Sequence, residues 1–323
     1  MKRIVCLVLS LLMALTLVAC GGNDAGNNGG DQGTEKTFKV GINNWGQANF
    51  FARAGKEAME DELAKLGCEV IPSVTDNIAD RVEAIEAMVQ QGCDAIIIEE
   101  GDITECEAAI LEAKEAGIII GSMDAGTADY VDIYVSSDNA NLGAVAAEAL
   151  AEAMGYKGTV IEIINDSGSM IRQRKEAAHE VFAKYPDINV QYSLTYSWPD
   201  YDADMMDQVS AVLQANSEPG QISGVFASFD GVGISAYKAI KEFGLEDSIF
   251  ITGVDGDPDT LAIMVEDGEG CNYISTMAQD PDTIARTCCN LVVDLLNGEQ
   301  LESDVVYIPG IQVTPANAAE FGE

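Results

Sequence analysis

Short apolar runs alternate with amphipathic stretches along this chain from Phe38 onward. The apolar runs are continuous, which is typical of strands in a sheet that is buried on both faces. Strand–helix alternation predicts βαβ units and a parallel, doubly wound α/β sheet. The first strands are predicted at Phe38–Ile42, Glu69–Val74, Ala95–Ile98 and Ile118–Met123, and the helices between them at about 51–66, 78–91 and 104–116.

The first three predicted helices each end at a glycine, after which the chain enters a strand. These glycines are Gly67, Gly92 and Gly117. Glycine adopts the left-handed backbone conformation that commonly ends a helix. The repetition of this signal supports the predicted helix ends.

A short strand at Ile133–Val135 and the junction Ser136-Ser137-Asp138 precede a second series of the same kind. We therefore predict two similar doubly wound lobes joined by a multi-strand hinge. The first lobe would contain residues 37–137 and 280–306, and the second 138–279 and 307–323. Ligands of open α/β sheets bind outside the carboxyl ends of the strands, so a cleft that closes by hinge motion is expected. The remaining strands are predicted at 159–164, 188–195, 222–227, 249–254, 272–277 and about 304–308, and the helices at about 140–154, 170–184, 203–215, 232–243, 258–267 and 282–297.

The N-terminus carries an export signal. Lys2 and Arg3 precede a largely apolar run, Ile4 to Ala19, which suits a secretory signal better than a membrane span. The ending Leu17-Val18-Ala19-Cys20 resembles the bacterial lipobox, which implies a signal peptide over 1–19 and a diacylated Cys20. Residues 20–36 are rich in Gly, Asn and Asp and read as a flexible tether. The alternative is an ordinary signal peptide with a chance cysteine.

Composition excludes several classes of function. The 323 residues include 17 Lys and Arg against 54 Asp and Glu, a formal net charge of −37. Nucleic-acid binding and adhesion to anionic lipid both need clustered basic residues, so neither is expected. A single His argues against a His-rich metal site and a Ser-His-Asp hydrolase.

The cysteines leave one question open. Beyond Cys6 and Cys20, their spacing matches no zinc pattern. An exported protein could pair them, but the sequence does not decide between disulfides and buried thiols. They are Cys68, Cys93, Cys106, Cys271, Cys288 and Cys289.

Six segments in order, behind a lipobox, carry a resemblance over about residues 37–310. The chain resembles the periplasmic binding proteins of the ribose and galactose type, which deliver sugars to ABC importers. The segments are Val40-Gly41-Ile42-Asn43-Asn44 with Asn49-Phe50-Phe51; Asp124 with Ser137-Asp138-Asn139; Arg172-Gln173-Arg174; Val225 to Gly231; Gly253 to Asp259; and Ala278-Gln279-Asp280-Pro281.

The resemblance implies a set of ligand-binding residues. Asn44, Phe50 and Phe51 would line the near wall of the cleft. An aromatic side chain would come from Trp198 or Tyr201. Ligand hydroxyls would be held by Asp124, Arg174, Asp255 and Gln279. Carboxylates accept from pairs of hydroxyls and a guanidinium donates to hydroxyl oxygens, so these residue types suit a neutral sugar.

Two positions depart from the ribose-type pattern. Phe229 stands where ribose-type members have a hydrogen-bonding Asn, and Ala125 stands where they have an Arg. Both changes remove polar partners from the pocket. They put ribose itself in doubt and leave a deoxy-sugar, an aromatic glycoside or a nucleoside open.

Structural alternatives remain for these residues. Asp124 and Asp255 could be helix caps, because Asp after a strand is common at that position. Arg174 could be a solvated helix residue, one of Phe50 and Phe51 could belong to the lobe core, and Trp198 could cover a sheet edge. Trp45 is a further aromatic candidate near the first loop.

Two motifs imitate other sites. The run Gly231-Val232-Gly233-Ile234-Ser235-Ala236 fits a dinucleotide fingerprint, but Ser228 to Asp230 separate it from the strand. The acidic run from Asp255 imitates a calcium loop, but Pro258 and Thr260 occupy positions that such a loop does not allow. We therefore expect no cofactor, no metal and no catalysis.

The sequence thus predicts a monomeric, lipid-anchored solute-binding protein on the extracytoplasmic face of the cell membrane. It would capture a small polar ligand, a monosaccharide or polyol, and present it to an ABC permease whose ATPase is a separate chain. A sensory protein that presents its ligand to a membrane receptor or kinase would share the fold and pocket. An exported doubly wound enzyme would need a nucleophile–base pair or a metal cluster. A sugar-responsive repressor would need a basic helix-turn-helix where the lipobox stands.

Overall fold

Strands and helices alternate along the described part of the chain, as the sequence predicts. The structure, a computed structural model, describes residues 37–166 and 168–321. The predicted signal peptide, Cys20 and the predicted tether lie outside these residues. The strands are β1 (Lys39–Trp45), β2 (Glu69–Thr75), β3 (Ala95–Glu99), β4 (Ile119–Met123), β5 (Ile133–Ser137), β6 (Gly158–Ile164), β7 (Ile188–Thr195), β8 (Gly224–Ala227), β9 (Phe250–Asp255), β10 (Tyr273–Ala278), β11 (Val305–Ile308) and β12 (Ile311–Val313). The α-helices are α1 (Phe50–Lys65), α2 (Ile78–Gln90), α3 (Glu107–Glu115), α4 (Asn139–Ala153), α5 (Ser169–Phe182), α6 (Tyr201–Ala215), α7 (Asp230–Phe243), α8 (Pro258–Asp267) and α9 (Pro281–Leu296).

These strands form two six-stranded sheets. The first has the order β11-β5-β4-β3-β1-β2, and the second has the order β12-β10-β9-β8-β6-β7. Neighbouring strands are parallel except β10 and β12, which pair antiparallel. We call the first sheet with α1–α3 and α9 the first lobe, and the second sheet with α4–α8 the second lobe. The predicted α/β architecture of two similar lobes is confirmed.

Both faces of each sheet are covered by helices. In the first lobe, Ile97 packs in a cluster with α1 and α9, whereas Ile96 and Ile98 pack with α2 and α3 on the opposite face. All three side chains are fully buried, and each such burial contributes about 1.5–3 kcal/mol. The edge strand β7 instead alternates between partly buried and exposed residues. Continuous apolar runs therefore mark the central strands, and the edge strands depart from that pattern.

Three local differences from the predicted elements have physical causes. The stretch predicted as one helix over 104–116 begins as a 3-10 turn, because the Asp102 carboxylate accepts from the Thr104 N–H at 3.0 Å. The strand β12 was not predicted, since three residues carry too short a pattern. The strand β11 runs to Ile308, two residues beyond the point where the first lobe was predicted to end.

The chain passes between the two lobes at three places in the described residues. These crossings follow β5, β10 and β11, where the next element belongs to the other sheet. Three neighbouring connections of this kind form a hinge, about which the two lobes can rotate as rigid bodies. In the same residues, no helix combines the length and apolar character that a membrane crossing needs.

The six cysteines of the described chain are free thiols, and all except Cys68 are buried. Cys288 and Cys289 pack in the first-lobe cluster with α1, and burial raises the pKa of Cys288 to about 12. A thiol with so high a pKa is unreactive at neutral pH. The structure thus favours the buried-thiol alternative.

Candidate ligand-binding site

Three acidic residues with unusual backbone angles end strands at the facing edges of the two sheets. Glu100 follows β3, Asp124 follows β4 and Asp255 ends β9. Their φ angles are 51°, 56° and 128°, in the region that favours glycine. Such angles cost about 1–3 kcal/mol each and persist where surrounding contacts hold them. They concentrate where ligands of open α/β sheets bind, which supports a site at these strand ends.

A cavity lies between the lobes at these strand ends. Its empty volume is about 480 Å³, part of which is open to solvent. The lining combines charged groups with four aromatic rings: Trp45, Asn49, Glu100, Gly101, Gly168, Met170, Ile171, Arg174, Tyr196, Trp198, Phe229 and Asp255.

Arg174 reaches the cavity from α5 and is 2% exposed. Its Nε donates to Asn139 Oδ1 at 2.7 Å, and its Nη1 donates to the Ser228 carbonyl at 2.9 Å. Nη1 also lies 3.8 Å from Asp255 Oδ1. The helices α4 and α5 approach so closely that a Cβ on Gly143 would lie 2.3 Å from the Arg174 carbonyl oxygen. These contacts hold the guanidinium in one orientation, so the solvated alternative is wrong.

Asp124 is buried and connects the first lobe to Arg174. Its Oδ1 accepts from the Ser136 hydroxyl and from Asn139 Nδ2, the latter at 2.9 Å. Burial raises the pKa of Asp124, against the lowering effect of Arg174 and these hydrogen bonds. Asp124 caps none of the described helices and is not among the residues that line the cavity. It orients Arg174 through Asn139.

Asp255 lines the cavity and is 5% exposed. Gln279 Nε2 donates to its Oδ1 at 2.9 Å. Burial raises the pKa of Asp255 to about 7, although Arg174 and Gln279 both act to lower it. The cap of α8 is Asp257, whose Oδ1 accepts from the Asp259 N–H at 2.9 Å. Asp255 is therefore not a helix cap and is available to a ligand.

Two consecutive glutamates lie at the end of β3: Glu99 is its last, buried residue and Glu100 follows it. Glu99 Oε2 accepts from Asn44 Nδ2 at 2.5 Å, whereas Glu100 Oε1 lies 3.4 Å from Asn49 Nδ2. Glu100 Oε2 is buried and has no protein partner among the described residues. Burial raises the pKa of Glu99 to about 8, and burial with neighbouring carboxylates raises that of Glu100. Arg81 donates at 2.7 Å to the backbone carbonyl of each glutamate.

Aromatic rings form one wall of the site. Trp198 stacks on Tyr201 with ring centroids 5.9 Å apart, and Tyr196 meets Phe229 edge to face at 5.2 Å. Trp45 lies against Arg81, whose guanidinium carbon is 4.5 Å from the ring centroid. Trp198 Nε1 is buried without a protein partner in the described chain. The wall offers flat apolar faces and one free N–H donor.

The structure brings seven of the nine predicted binding residues to this region. Arg174, Trp198, Phe229 and Asp255 line the cavity directly. The other three are buried behind the lining residues. Asn44 bonds Glu99, Gln279 bonds Asp255, and Asp124 reaches Arg174 through Asn139. We expect these three to position the lining residues.

The two predicted phenylalanines lie elsewhere. Phe51 is 1% exposed and packs in the first-lobe core, as one of the two was expected to do. Phe50 lines a separate apolar depression beside Pro258 and Leu261. Asn49 caps α1, since its side chain accepts from the Ala52 N–H, and lines the cavity in their place. The helix begins at Phe50, and its first turn directs both rings away from the ligand site.

Sequence reasoning missed Asn49, Glu100 and Tyr196 as lining residues. A signal for Glu100 was present, because two acids directly after a continuous apolar strand place charge at a buried strand end. Tyr196 had no such signal, since it follows the alternating edge strand β7. Met170 and Ile171 sit in the first turn of α5 and resemble ordinary core residues.

Contacts across the mouth of the cavity join the lobes. Arg172 of the second lobe pairs with Asp102 of the first. Nearby, the Ser169 N–H donates to the Gly101 carbonyl at 3.2 Å. At the other side, the Tyr201 hydroxyl donates to the Ala48 carbonyl at 3.2 Å. The lobes are therefore closed over the cavity in this structure.

Replacing Arg172 by Ala should speed ligand release. The pair with Asp102 is partly exposed, and such pairs contribute about 0.2–1 kcal/mol, so we expect at most about a fivefold loss of affinity. Stopped-flow dissociation rates would measure it. Lys175→Ala is the matched control, because its pair with Asp166 stays within the second lobe. Equal dissociation rates in wild type and Arg172→Ala would contradict a role for this pair in closure.

This chain has two similar lobes that enclose a polar cavity, which is the architecture of two-lobed ligand-binding proteins. The model of the periplasmic binding protein domain matches residues 40–300 of this chain. The chain therefore belongs to the periplasmic binding protein family.

Curated relatives and solved structures agree with this assignment. The chain is 28% identical over 304 residues to a xylitol-binding protein of Mycolicibacterium smegmatis, covering 92% of this chain and 81% of that protein. It is 27% identical over 310 residues to the ribose import binding protein RbsB of Bacillus subtilis, covering 94% and 97%. An ABC transporter solute-binding protein from Agrobacterium vitis, solved with allitol, superposes with a TM-score of 0.84 at 24% identity, covering 88% and 98%. The predicted ribose-type family and its fold are confirmed.

Proposed function

We propose that this chain is a lipid-anchored, extracytoplasmic solute-binding protein that captures a monosaccharide or polyol and delivers it to an ABC importer. The observation that carries the proposal is the interlobe cavity, where Arg174 and Asp255 stand beside an aromatic wall. A sugar presents hydroxyls at its edge and C–H groups on its faces, and this combination satisfies both. The xylitol- and ribose-binding relatives support the same ligand class.

The mechanism we propose is capture by closure. Hydrogen bonds to charged groups contribute about 1.5–3 kcal/mol each. Three or four of them with ring contacts reach about −8 kcal/mol, or micromolar affinity. The closed lobes bury the ligand, so the ligand favours the closed form and shifts the hinge equilibrium toward it. An importer permease would recognise that closed surface, and its ATPase would be a separate chain.

The other parts of the proposal come from the sequence. The lipobox ending in Cys20 supports an anchor in the membrane, and the tether would hold the lobes outside it. We propose a monomer that needs no cofactor and catalyses no reaction. Incorporation of labelled fatty acid, lost in Cys20→Ser, would test the anchor.

Thermal melting of the full chain against a ligand panel tests the binding function. The panel contains sugars, polyols, amino sugars, nucleosides and amino acids. A ligand at 100 times its dissociation constant adds about 2.7 kcal/mol of stability. We expect a clear upward shift for one class of polyhydroxylated ligand. A shift for a nucleoside alone would favour the aromatic wall as a base-stacking surface and overturn the sugar assignment. No shift for any member would contradict the binding function.

A further inference from the structure

The charges that face the cavity are unbalanced. Glu100 and Asp255 line it, and Arg174 is the only cationic side chain among its described lining residues. Arg174 is already engaged, because it donates to Asn139 and to a backbone carbonyl and lies 3.8 Å from Asp255. Glu99 and Asp124 lie close enough to act electrostatically on Glu100. The carboxyl groups in and around the site therefore outnumber its cationic side chains.

Glu100 is the least compensated of these groups. Its Oε1 has one long contact, 3.4 Å to Asn49 Nδ2, and its Oε2 is buried without a protein partner in the described chain. Arg81 lies nearby, but it donates to the backbone carbonyls of Glu99 and Glu100. Burial together with the charges of Glu99, Asp124 and Asp255 raises the pKa of Glu100. A buried carboxyl in this position needs either a proton or a cation.

The aromatic wall favours a cation over a proton as the partner of Glu100. Trp198, Tyr196 and Phe229 line the same cavity as Glu100. An ammonium group within about 6 Å of a ring centroid is attracted by the ring face, more strongly when desolvated. Trp45 contributes less, because Arg81 already occupies one of its faces. Carboxylates and aromatic rings around one cavity are the two groups that recognise an ammonium ion.

We infer that the ligand is a polyhydroxylated amine, an amino sugar or amino polyol, whose ammonium group pairs with Glu100 while its hydroxyls bind Asp255 and Arg174. This inference rests on the proposed sugar-binding function and narrows its ligand class. An ammonium donates up to three hydrogen bonds, so one can reach the unpartnered Oε2 of Glu100 and leave the others for further acceptors. A neutral sugar of the same shape would leave Glu100 to be neutralised by a proton instead.

Matched ligand pairs test the inference on the full wild-type chain. The pairs are D-glucose with D-glucosamine, D-galactose with D-galactosamine, D-mannose with D-mannosamine, and sorbitol with 1-amino-1-deoxysorbitol. Titration calorimetry at pH 7 gives the affinity of each member. We expect the amine to bind at least about tenfold more tightly than its neutral partner in every pair that binds, since charged hydrogen bonds are the stronger ones. Equal or tighter binding of the neutral partner would overturn the inference and leave the sugar-binding function standing.

A charge-removing variant assigns the effect to Glu100. In Glu100→Gln the amine should lose at least about tenfold in affinity, and the neutral partner should change less than about threefold. Glu105→Gln is the matched control, because Glu105 is exposed in the adjacent 3-10 turn. Equal losses for both members of a pair would refute a charge-specific role of Glu100. If no member of any pair and no member of the wider ligand panel binds, the proposed function itself is overturned. The wild-type comparison decides the ligand class even if Glu100→Gln does not fold.

Discussion

Replacing Asp255 by Asn is expected to lower ligand affinity by at least about 100-fold. The carboxylate sits at the carboxyl end of β9, lines the cavity and lies 3.8 Å from the Arg174 guanidinium. Asn keeps the size of the side chain but removes the charge and one acceptor. Two hydrogen bonds that involve a charged group, at about 1.5–3 kcal/mol each, account for a loss of this size. Titration calorimetry with the ligand found in the melting panel measures it.

The same variant should keep its fold. Burial raises the pKa of Asp255 to about 7, so at pH 8 the wild-type protein holds a buried charge that Asn would not carry. We therefore expect the Asp255→Asn protein without added ligand to melt within about 5 °C of wild type at pH 8. In a chain of this size, a stability change of about 1 kcal/mol shifts the melting midpoint by about 2–4 °C. Asp259→Asn is the control, because Asp259 is exposed in the first turn of α8 and should bind normally. An affinity within about threefold of wild type in Asp255→Asn would remove Asp255 from the site.

The stability of the protein without added ligand should fall by several kcal/mol as the pH rises from about 4 to about 8. Burial raises the pKa of Glu99 and of Asp230 to about 8 and that of Asp255 to about 7. Unfolded carboxyl groups titrate near pH 4, so in this range the folded chain binds more protons than the unfolded chain. Stability contributed by such groups is present below pH 4 and is lost as the pH passes the folded-state values. Urea denaturation at pH 5, 6, 7, 8 and 9 measures the slope.

The Asp230→Asn variant distinguishes two causes of the pH dependence of stability. One is the titration of these buried carboxyl groups, and the other is the general charge repulsion in a chain with a net charge of −37. The Asp230 carboxyl is fully buried and accepts from the Tyr273 hydroxyl at 2.7 Å and from the Asp257 N–H at 2.9 Å. Removing its titration should flatten the pH dependence, whereas Asp247→Asn, an exposed carboxyl, should leave the slope nearly unchanged. Slopes that are identical in Asp230→Asn and wild type would show that the buried carboxyl does not titrate in this range.

Hydrogen bonds behind the cavity connect several of the predicted residues to the lining residue Arg174. Asp124, Asn139 and Arg174 form a chain of contacts that runs from the first lobe through the hinge into the second. Motion at the hinge therefore moves Arg174 relative to the groups of the first lobe. In the proposed function, the same side chains would couple ligand capture to lobe closure.

Much of the fold could be predicted because its signals are local. Glycines such as Gly67 and Gly92 end helices through their own backbone freedom, with φ of 77° and 70°. The run Ala95–Ile98, followed by acidic residues and preceded by a helix-ending glycine, predicts a strand covered on both faces, and the structure buries it completely. The weak points were local as well, since β12 is three residues long and Asp102 turns the start of one predicted helix into a 3-10 turn.

The positions of candidate site residues were predictable where strand ends determine them. Asp255 ends a buried strand and Asp124 directly follows one, and both lie in the interlobe region as expected. The first turn of α1 was harder, because three consecutive residues, Asn49, Phe50 and Phe51, could each have faced the ligand. The cap that Asn49 makes with Ala52 sets the start of the helix and turns Phe51 into the core.

The sequence by itself determined the order of strands and helices, the two-lobed α/β class and the placement of acidic residues at strand ends. These properties depend on residues that are neighbours along the chain, where apolar periodicity and backbone preference act. Only the tertiary structure decided which side chains line the cavity, that Glu100 has a buried oxygen without a protein partner, and that Arg172 meets Asp102 across its mouth. Those contacts join residues far apart in sequence, and their burial and charge exist only once the two lobes have folded and closed on each other.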